Sequence, residues 1–302
     1  MTKHTIKLDR PHRAGNLRSI YAMLIAVAMF SLMDTAMKLL AAGYPAMQVA
    51  ALRALTSLPL VCVYVAWRGG FAKITRIHWP LHLLRAVLGI AMLALFAYGL
   101  KKLSLAEAYS IFFIAPAIIT ALSVWFLKET VDAARWIAIA VGLGGVLVVL
   151  RPDGEGFLTI GGLAVLGAAA CYAVSAIAAR ILARTDRSEH MVFWLMLLMA
   201  IGATVLALPN WVAVDPGQWP LLAALAVSGF LGQLAITEAF SSGEASSVAP
   251  FEYSALAWGV ALDWLLWRTL PDHYTVIGAT IIIGSGLYLL RHEKVHTESE
   301  HP

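Results

Sequence analysis

The chain consists almost entirely of apolar runs, each long enough to cross a lipid bilayer as a helix. Such a helix needs about 20 apolar residues to span a hydrocarbon core roughly 30 Å thick. Runs bounded by charges, proline and glycine give ten candidate spans, namely 19–41, 45–67, 79–100, 104–127, 132–150, 160–183, 189–209, 218–241, 244–268 and 272–291. The connections are only a few residues long, so neighbouring helices should be antiparallel. The sequence therefore predicts an all-α integral membrane protein.

Composition excludes the soluble alternatives. The chain is 60% apolar and 13% charged, whereas a soluble domain is about 25% charged. The two cysteines, Cys62 and Cys171, lie inside apolar runs and offer neither a disulfide framework nor a metal-ligand spacing. The histidines lie in tails, loops or span ends, and the sequence has no glycine-rich phosphate loop. We therefore expect no cofactor, no metal, no nucleic-acid partner and no enzymatic activity.

The distribution of Lys and Arg predicts the orientation. With the N-terminus in the cytoplasm, cytoplasmic segments hold 16 Lys and Arg residues and the opposite side holds five. This count includes Arg85 in the second cytoplasmic segment, and Lys101-Lys102 is the local exception. Because basic residues favour the cytoplasmic side, both termini should lie on the cytoplasmic side of a bacterial inner membrane. Residues 1–18 and 292–302 then form cytoplasmic tails, and the first apolar run is too long for a cleaved signal peptide.

The two halves of the chain resemble each other at a shift of 140 residues. Trp79-Pro80-Leu81 recurs as Trp219-Pro220-Leu221, and the first helices fit at a shift of 142 that places Phe30 opposite Tyr172. Further matches at the first shift are Gly89 with Gly229, Asp132 with Asp272 and Gly144 with Gly284. A repeat of five helices is odd-numbered, so the second copy enters the membrane from the other side. We predict two inverted repeats, 19–151 and 160–291, around a central cavity, as in secondary transporters.

The chain also resembles a known family. The matching features are Arg53, Leu103-Ser104-Leu105-Ala106-Glu107-Ala108, Pro116, Trp125-Phe126-Leu127-Lys128-Glu129 and Gly142-Leu143-Gly144-Gly145. These motifs, in ten spans, resemble the EamA-type members of the drug/metabolite transporter superfamily, and among these the bacterial YddG-type aromatic amino-acid exporters. The resemblance implies alternating access and a cavity lined by spans one, three, four, six, eight and nine. Trp267-Arg268-Thr269 departs from the pattern, because a second acidic residue is often present there.

Charges in the first two spans are candidates for function, since ionisable groups at membrane depth are costly. Asp34 lies about two-thirds of the way along span one, and Lys38 follows at i+4 on the same helix face. The two side chains could form an ion pair, and Asp34 is otherwise a candidate proton site. Arg53 in span two either holds a carboxylate such as Asp34 or is a fixed structural cation.

Span nine carries the second group of polar candidates. Glu252 and Tyr253 follow Pro250, which opens the helical hydrogen-bond ladder one turn earlier. A kinked segment with a carboxylate and a phenol could bind an amino group or carry a proton. The alternative is a carboxylate hydrogen-bonded to a neighbouring helix. Gln233 in span eight is either a polar contact to solute or an interhelical hydrogen bond.

Aromatic side chains lie deep in the spans that the resemblance assigns to the cavity. These residues are Phe30, Tyr98, Tyr109, Phe112, Phe113, Tyr172, Tyr253 and Trp258. An aromatic wall with few charges suits an amphipathic solute of modest size, through stacking and cation–π contacts. We therefore expect export of aromatic and other largely apolar amino acids and related metabolites, by a monomer or homodimer. The alternatives are a carrier of drugs, nucleosides or phosphorylated sugars, and a membrane assembly or sensor subunit.

Overall fold

The computed structural model describes residues 12–69, 74–75, 77–100, 102, 111–150, 159–268 and 273–298, and this part of the chain is helical without a strand. The main helices are α1 (His12–Leu40), α2 (Ala46–Trp67), α3 (Trp79–Leu100), α4 (Ala115–Leu122), α5 (Ala133–Leu150), α6 (Ile160–Leu182), α7 (Ser188–Ala207), α8 (Trp219–Ser242), α9 (Ser254–Trp267) and α10 (His273–Glu298). Each lies in one of the ten predicted spans. Both ends differ from the expected tails, because α1 begins before residue 19 and α10 continues past 291.

Six of these segments are long and apolar enough to cross a membrane by length and composition. They are Leu17–Leu40, Ala46–Trp67, Trp79–Phe96, Ile160–Leu182, Ser188–Asn210 and Pro216–Ser242. The apolar parts of spans four, five and ten are shorter, at Ala115–Leu127, Ala133–Val148 and His273–Leu289, and α9 has 14 residues. The ten predicted spans therefore divide into six full-length helices and four shorter ones.

Spans four and nine are interrupted helices. In span nine, a helical turn (Ala245–Val248) and a 3₁₀ segment (Ala249–Tyr253) precede α9, and Pro250 lies in the 3₁₀ segment. Proline supplies no backbone donor, so the α-helical ladder cannot continue through it. In span four, α4 passes into a π-helical turn (Ser123–Leu127), and 103–110 lie outside the described residues. The interruption in span nine places Glu252 on a 3₁₀ turn.

The helices pair in a pattern that exchanges the two halves of the chain. Helices α1–α5 of the first repeat correspond to α6–α10 of the second. Helix α1 packs against α8, and the corresponding pair, α6 and α3, also packs together. The contact of α1 with α9 likewise corresponds to that of α6 with α4, and that of α2 with α8 to that of α7 with α3. The pairs α2–α7 and α5–α10 map onto themselves. The halves are thus interlocked inverted repeats.

Backbone conformation repeats at the same shift. Lys128 (φ 60°) and Arg268 (φ 54°) are the two non-glycine residues with positive φ in the described part of the chain. They are 140 positions apart, and each ends the helical segment of its span, after Leu127 and Trp267. A cation at this position also interacts favourably with the negative end of the helix dipole. The two interrupted spans therefore end alike.

Candidate transport site

A carboxylate and a phenol meet where span nine is interrupted. Tyr172 of α6 donates a hydrogen bond of 3.0 Å to Glu252 Oε1, and Glu252 is 9% exposed. The ring centroid of Phe112 lies 5.8 Å from that of Tyr172 and 5.3 Å from that of Phe96. Three predicted site residues, one from each of spans four, six and nine, are thereby brought together beside aromatic rings. An intramembrane carboxylate in such surroundings is a candidate for binding a proton or a cationic group.

Two other predicted aromatic residues form a separate cluster. The ring centroids of Phe113 and Tyr253 are 6.0 Å apart, and Tyr253 packs with Val146 and Ile282. A Cβ atom at Gly142 would lie 2.5 Å from the Tyr253 ring, so α5 accepts this ring only because position 142 is glycine. Tyr253 therefore holds the 3₁₀ segment of span nine against α5 and α10.

Arg53 lies close to Phe30 and Asp34. The Arg53 guanidinium carbon is 5.6 Å from the centroid of the Phe30 ring, and the charge of Arg53 acts on Asp34. The ion pair of Asp34 with Lys38 that the i+4 spacing suggested stays a prediction. Helix α2 adds a second cation, Arg53, whose charge acts on Asp34.

The face of α1 that carries Asp34 is buried in the N-terminal half of the helix and exposed at Asp34 in the C-terminal half. Tyr21, Ile25, Leu32 and Leu39 form an exposed apolar stripe that suits contact with lipid. On the opposite face, Ile20, Met23 and Val27 are buried, whereas Asp34, two turns after Val27, is exposed. A 3.6-residue period puts Asp34 on the side away from the lipid stripe. The interior of the bundle is therefore accessible from the end where α1 stops.

The remaining predicted residues lie outside these groups. Gln233 is 5% exposed and donates a hydrogen bond of 3.4 Å to Thr237 Oγ1 on its own helix. Tyr98 and Trp258 are each 43% exposed. Tyr109 lies outside the described residues. The structure thus brings Phe112, Tyr172 and Glu252 together and places Phe30 beside Arg53, and the roles of Gln233, Tyr98 and Trp258 stay predictions.

Charged groups join the two repeats at the end of the bundle where α1 begins, which we call the N-face. Glu129 accepts hydrogen bonds from the backbone amides of Ala245 and Ser246, at 3.0 and 3.1 Å, and from Ser246 Oγ at 2.9 Å. Arg180 Nε lies 3.9 Å from Glu129 Oε1, and Arg180 Nη1 donates to the Ser241 carbonyl at 2.6 Å. The end of span four is thereby fixed to the start of span nine.

A second ion pair reinforces this connection. Arg135 Nη1 lies 2.6 Å from Glu244 Oε2 and donates to Ser246 Oγ at 3.0 Å. The Arg135 side chain is 9% exposed, so the pair is shielded from water and salt. We call Glu129, Arg135, Arg180, Glu244 and Ser246 the N-face network. Sequence reasoning singled out Glu129 but missed Arg135 and Glu244, whose only signal was that each stands at the edge of an apolar run.

Two aspartates in the connections at the N-face, one just before α5 and one between α6 and α7, also stabilise this end of the bundle. Burial opposes ionisation of Asp186, but bonds from the His78 amide (3.1 Å) and His82 Nε2 (2.8 Å) outweigh it and hold its pKa below the usual value. Burial of Asp132 is likewise outweighed by the Arg135 amide and His292, which lower its pKa. Each carboxylate links two segments of the N-face.

The structure corrects the placement of one basic residue. Arg85, which we counted with the second cytoplasmic segment, lies inside α3 and is 4% exposed. Its Nε and Nη1 atoms are buried and make no hydrogen bond within the described chain. A charge count along the sequence shows that a cation is near a membrane surface, but it cannot show that the folded helices bury it. The correction does not change the sign of the Lys and Arg asymmetry.

Interlocked five-helix repeats with interrupted spans and ionisable groups at mid-membrane are the architecture of a secondary transporter. The model of the EamA-like transporter family matches this chain twice, over residues 17–151 and 159–291. The chain belongs to that family, and it is a multi-pass membrane protein.

Curated relatives of the chain are named transporters. The pseudopaline exporter CntI of Pseudomonas aeruginosa (strain UCBPP-PA14) is 27% identical over 267 residues, which cover 88% of this chain and 93% of that protein. A riboflavin transporter of Rhizobium johnstonii is 31% identical over 224 residues, 72% of each chain. An S-adenosylmethionine uptake transporter of Rickettsia prowazekii is 26% identical over 94% of this chain and 96% of its own.

A crystal structure with 18% sequence identity matches the fold with a TM-score of 0.79 over 94% of this chain and 98% of the other. That likeness shows the fold alone. Together with the family match, it confirms the predicted ten-helix architecture and the resemblance found in the motifs.

Proposed function

We propose that the protein exports aromatic and other largely apolar amino acids, and related metabolites, across a bacterial inner membrane by alternating access. The observation that carries this proposal is the buried Tyr172–Glu252 hydrogen bond beside Phe112. The rings would take the apolar part of a solute, and their faces attract a cationic group. Glu252 and Asp34 are the candidate proton sites, because each is a carboxylate in the interior of the bundle.

The two ends of the bundle suggest how access alternates. The N-face network joins the repeats with ion pairs, whereas the inner face of α1 is open around Asp34 toward the other end. We assign this arrangement to the state that is open away from the N-face. Export then requires the network to break while a solute enters from the N-face and to re-form before the solute leaves.

Orientation and repeat boundaries complete the proposal. We assign the repeats to 19–151 and 160–291, and the tails 1–18 and 292–302 to the cytoplasm, because Lys and Arg predominate on the N-face side. The relatives include both an exporter and uptake transporters, so the outward direction rests on the resemblance of the motifs to amino-acid exporters. We infer a monomer or homodimer as the transporting unit.

A larger heteroaromatic metabolite is the second candidate cargo. Relatives are named for riboflavin and for S-adenosylmethionine, and Tyr98 and Trp258 present rings that are 43% exposed. Such a solute would extend from the rings of Phe112 and Tyr172 toward the side chains of Tyr98 and Trp258. Variants of Tyr98 and Trp258 would then weaken transport of the heteroaromatic compound more than that of an amino acid.

Efflux from proteoliposomes tests the proposal. Vesicles loaded with a panel of labelled amino acids, riboflavin or S-adenosylmethionine are assayed with and without a pH gradient. We expect efflux of aromatic amino acids above protein-free vesicles and at least about a tenfold loss in Glu252→Gln, since a charge-assisted contact is removed. Tyr172→Phe should slow efflux, whereas Tyr64→Phe, a matched change on α2 that contacts Phe230, should not. Flux equal to protein-free vesicles for every compound would refute the proposal.

A further inference from the structure

Two opposite charges face each other inside the bundle without forming an ion pair. Asp34 on α1 and Arg53 on α2 interact electrostatically, but no direct salt bridge joins these two described residues. Charges at membrane depth normally pair with one another or with backbone carbonyls. Two opposite charges that are accessible and not joined to each other can bind a ligand that carries both complementary charges.

The surrounding packing keeps Arg53 in place. The guanidinium lies over the Phe30 ring, and Phe30 occupies the helix position one turn before Asp34. On α8, a Cβ atom at Gly229 would lie 3.9 Å from Arg53 Cγ and 2.8 Å from Ser57 Oγ, and one at Gly232 would lie 2.7 Å from the Phe30 ring. The two glycines let α8 approach closely, so Arg53 and Phe30 are wedged between three helices.

The space between the two charges is accessible. Asp34 is exposed on the face of α1 that points away from the lipid stripe, and Arg53 is partly exposed. A structural ion pair would instead close to contact distance, because each unpaired charge costs free energy in an apolar bundle. An aromatic surface between an accessible cation and an accessible anion matches the three parts of an apolar α-amino acid: carboxylate, side chain and ammonium.

We propose that Arg53 binds the carboxylate and Asp34 the ammonium group of a zwitterionic, α-amino-acid-like solute, with the solute's apolar part against Phe30. This inference rests on the proposed transport function and names the residues that select its substrate. The planar guanidinium can bind a carboxylate through two parallel hydrogen bonds. Asp34 then serves the solute, and Glu252 with Tyr172 remains as the proton site. Arg53 and Asp34 are the specificity-determining residues.

Four related compounds test the inference on the unmodified protein in proteoliposomes. Phenylalanine carries both charges, phenylalaninamide lacks the carboxylate, 3-phenylpropionate lacks the ammonium and 3-phenylpropionamide lacks both. We expect efflux of phenylalanine to exceed that of each singly charged analogue by at least about tenfold, the factor that one lost ionic contact supplies. Equal efflux of all four would overturn the inference but leave solute transport standing. Efflux of none would count against the proposed function itself.

Variants then assign each charge to its residue. Arg53→Gln should abolish the preference for phenylalanine over phenylalaninamide and leave the preference over 3-phenylpropionate. Asp34→Asn should do the reverse, and Arg53→Lys should keep part of the carboxylate preference. The matched control is Arg68→Gln, which removes a cation at the exposed end of the same helix and should change no ratio. Ratios between analogues are unaffected by a loss of folded protein. Variants that lower all rates at unchanged ratios would show a merely structural role.

Discussion

The N-face and the opposite face of the bundle are built from equivalent positions but are held by different chemistry. Ion pairs and charged hydrogen bonds connect the repeats at the N-face. Four of its five residues correspond to uncharged ones at the shift of 140, namely Glu129 to Thr269, Arg135 to Thr275, Glu244 to Ser104 and Ser246 to Ala106. The fifth, Arg180, corresponds to Lys38 at the shift of 142. The repeated fold therefore supplies two equivalent ends, and the sequences of these ends differ in charge.

Neutral hydrogen bonds join the two repeats among the described residues of the opposite face. Gln48 donates to the Val212 carbonyl at 2.6 Å and accepts from the Val212 amide at 2.8 Å. The Asp215 amide donates to Tyr44 Oη at 2.9 Å. These bonds join the α1–α2 loop and the start of α2 to the α7–α8 loop. We infer that the ion pairs of the N-face bias the resting conformation toward opening away from the N-face.

Loss of the buried N-face ion pair should have the largest effect. Arg135→Gln removes the ion pair of Arg135 with Glu244, and breaking a buried pair costs about 3–5 kcal/mol. We expect amide hydrogen exchange over residues 242–253, measured in lipid nanodiscs at neutral pH, to accelerate by well over about tenfold.

The N-face also offers a matched control for that variant. Arg18 pairs with Glu238 at 2.8 Å, but the Arg18 side chain is 73% exposed, and such pairs contribute about 0–1 kcal/mol. Arg18→Gln should therefore leave exchange over 242–253 close to that of the unmodified protein. Similar acceleration in both variants would contradict a special role for the buried pair.

A glycine pair on α5 tests whether the 3₁₀ segment of span nine depends on close packing. Gly142→Ala places a methyl group against the Tyr253 ring and should lower stability by about 1–3 kcal/mol. Gly144→Ala meets no heavy atom within 4 Å and should be neutral or slightly stabilising, because alanine favours a helix. Thermal unfolding in detergent distinguishes them, and equal melting temperatures would exclude the Tyr253 contact as a constraint.

The smallest expected effect is the pH dependence of the N-face. The pKa of Asp186 is lowered in the folded protein, so its stabilising contribution is complete above its ordinary pKa. That contribution is lost as the pH falls through the lower folded-state value. Between pH 6 and pH 3, Asp186→Asn should lose less thermal stability than the unmodified protein. Parallel losses would show that His82 and the His78 amide do not stabilise this carboxylate.

The sequence alone predicted those features that depend on a single segment of the chain. Apolar runs located the spans, the Trp79 and Trp219 motifs revealed the repeat, and Pro250 indicated the interruption in span nine. Contacts between segments were not predictable in this way. The spacing of Asp34 and Lys38 suggested a pair within α1, but only the packing of α2 shows that the charge of Arg53 also acts on Asp34.

The N-face network was missed for the same reason. Arg135 and Glu244 are 109 positions apart, and only the interlocking of the repeats brings them within 2.6 Å. In the sequence each is an ordinary charge at the edge of an apolar run, so nothing distinguishes it from Arg184 or Glu238. The 140-residue shift indicated that the N-face and the opposite face are equivalent in the fold. The contacts of the N-face network became apparent only from the packing of α5 against span nine.

Access to position 34 from each side of the membrane tests the central claim most directly. Cys62 and Cys171 are replaced by alanine, Asp34→Cys is introduced, and an impermeant thiol reagent is added to oriented vesicles from one side or the other. The account predicts rapid labelling from the opposite face and protection from the N-face, with protection reduced when Arg135→Gln is added. Labelling from the N-face and protection from the opposite face, with Arg135 intact, would contradict it.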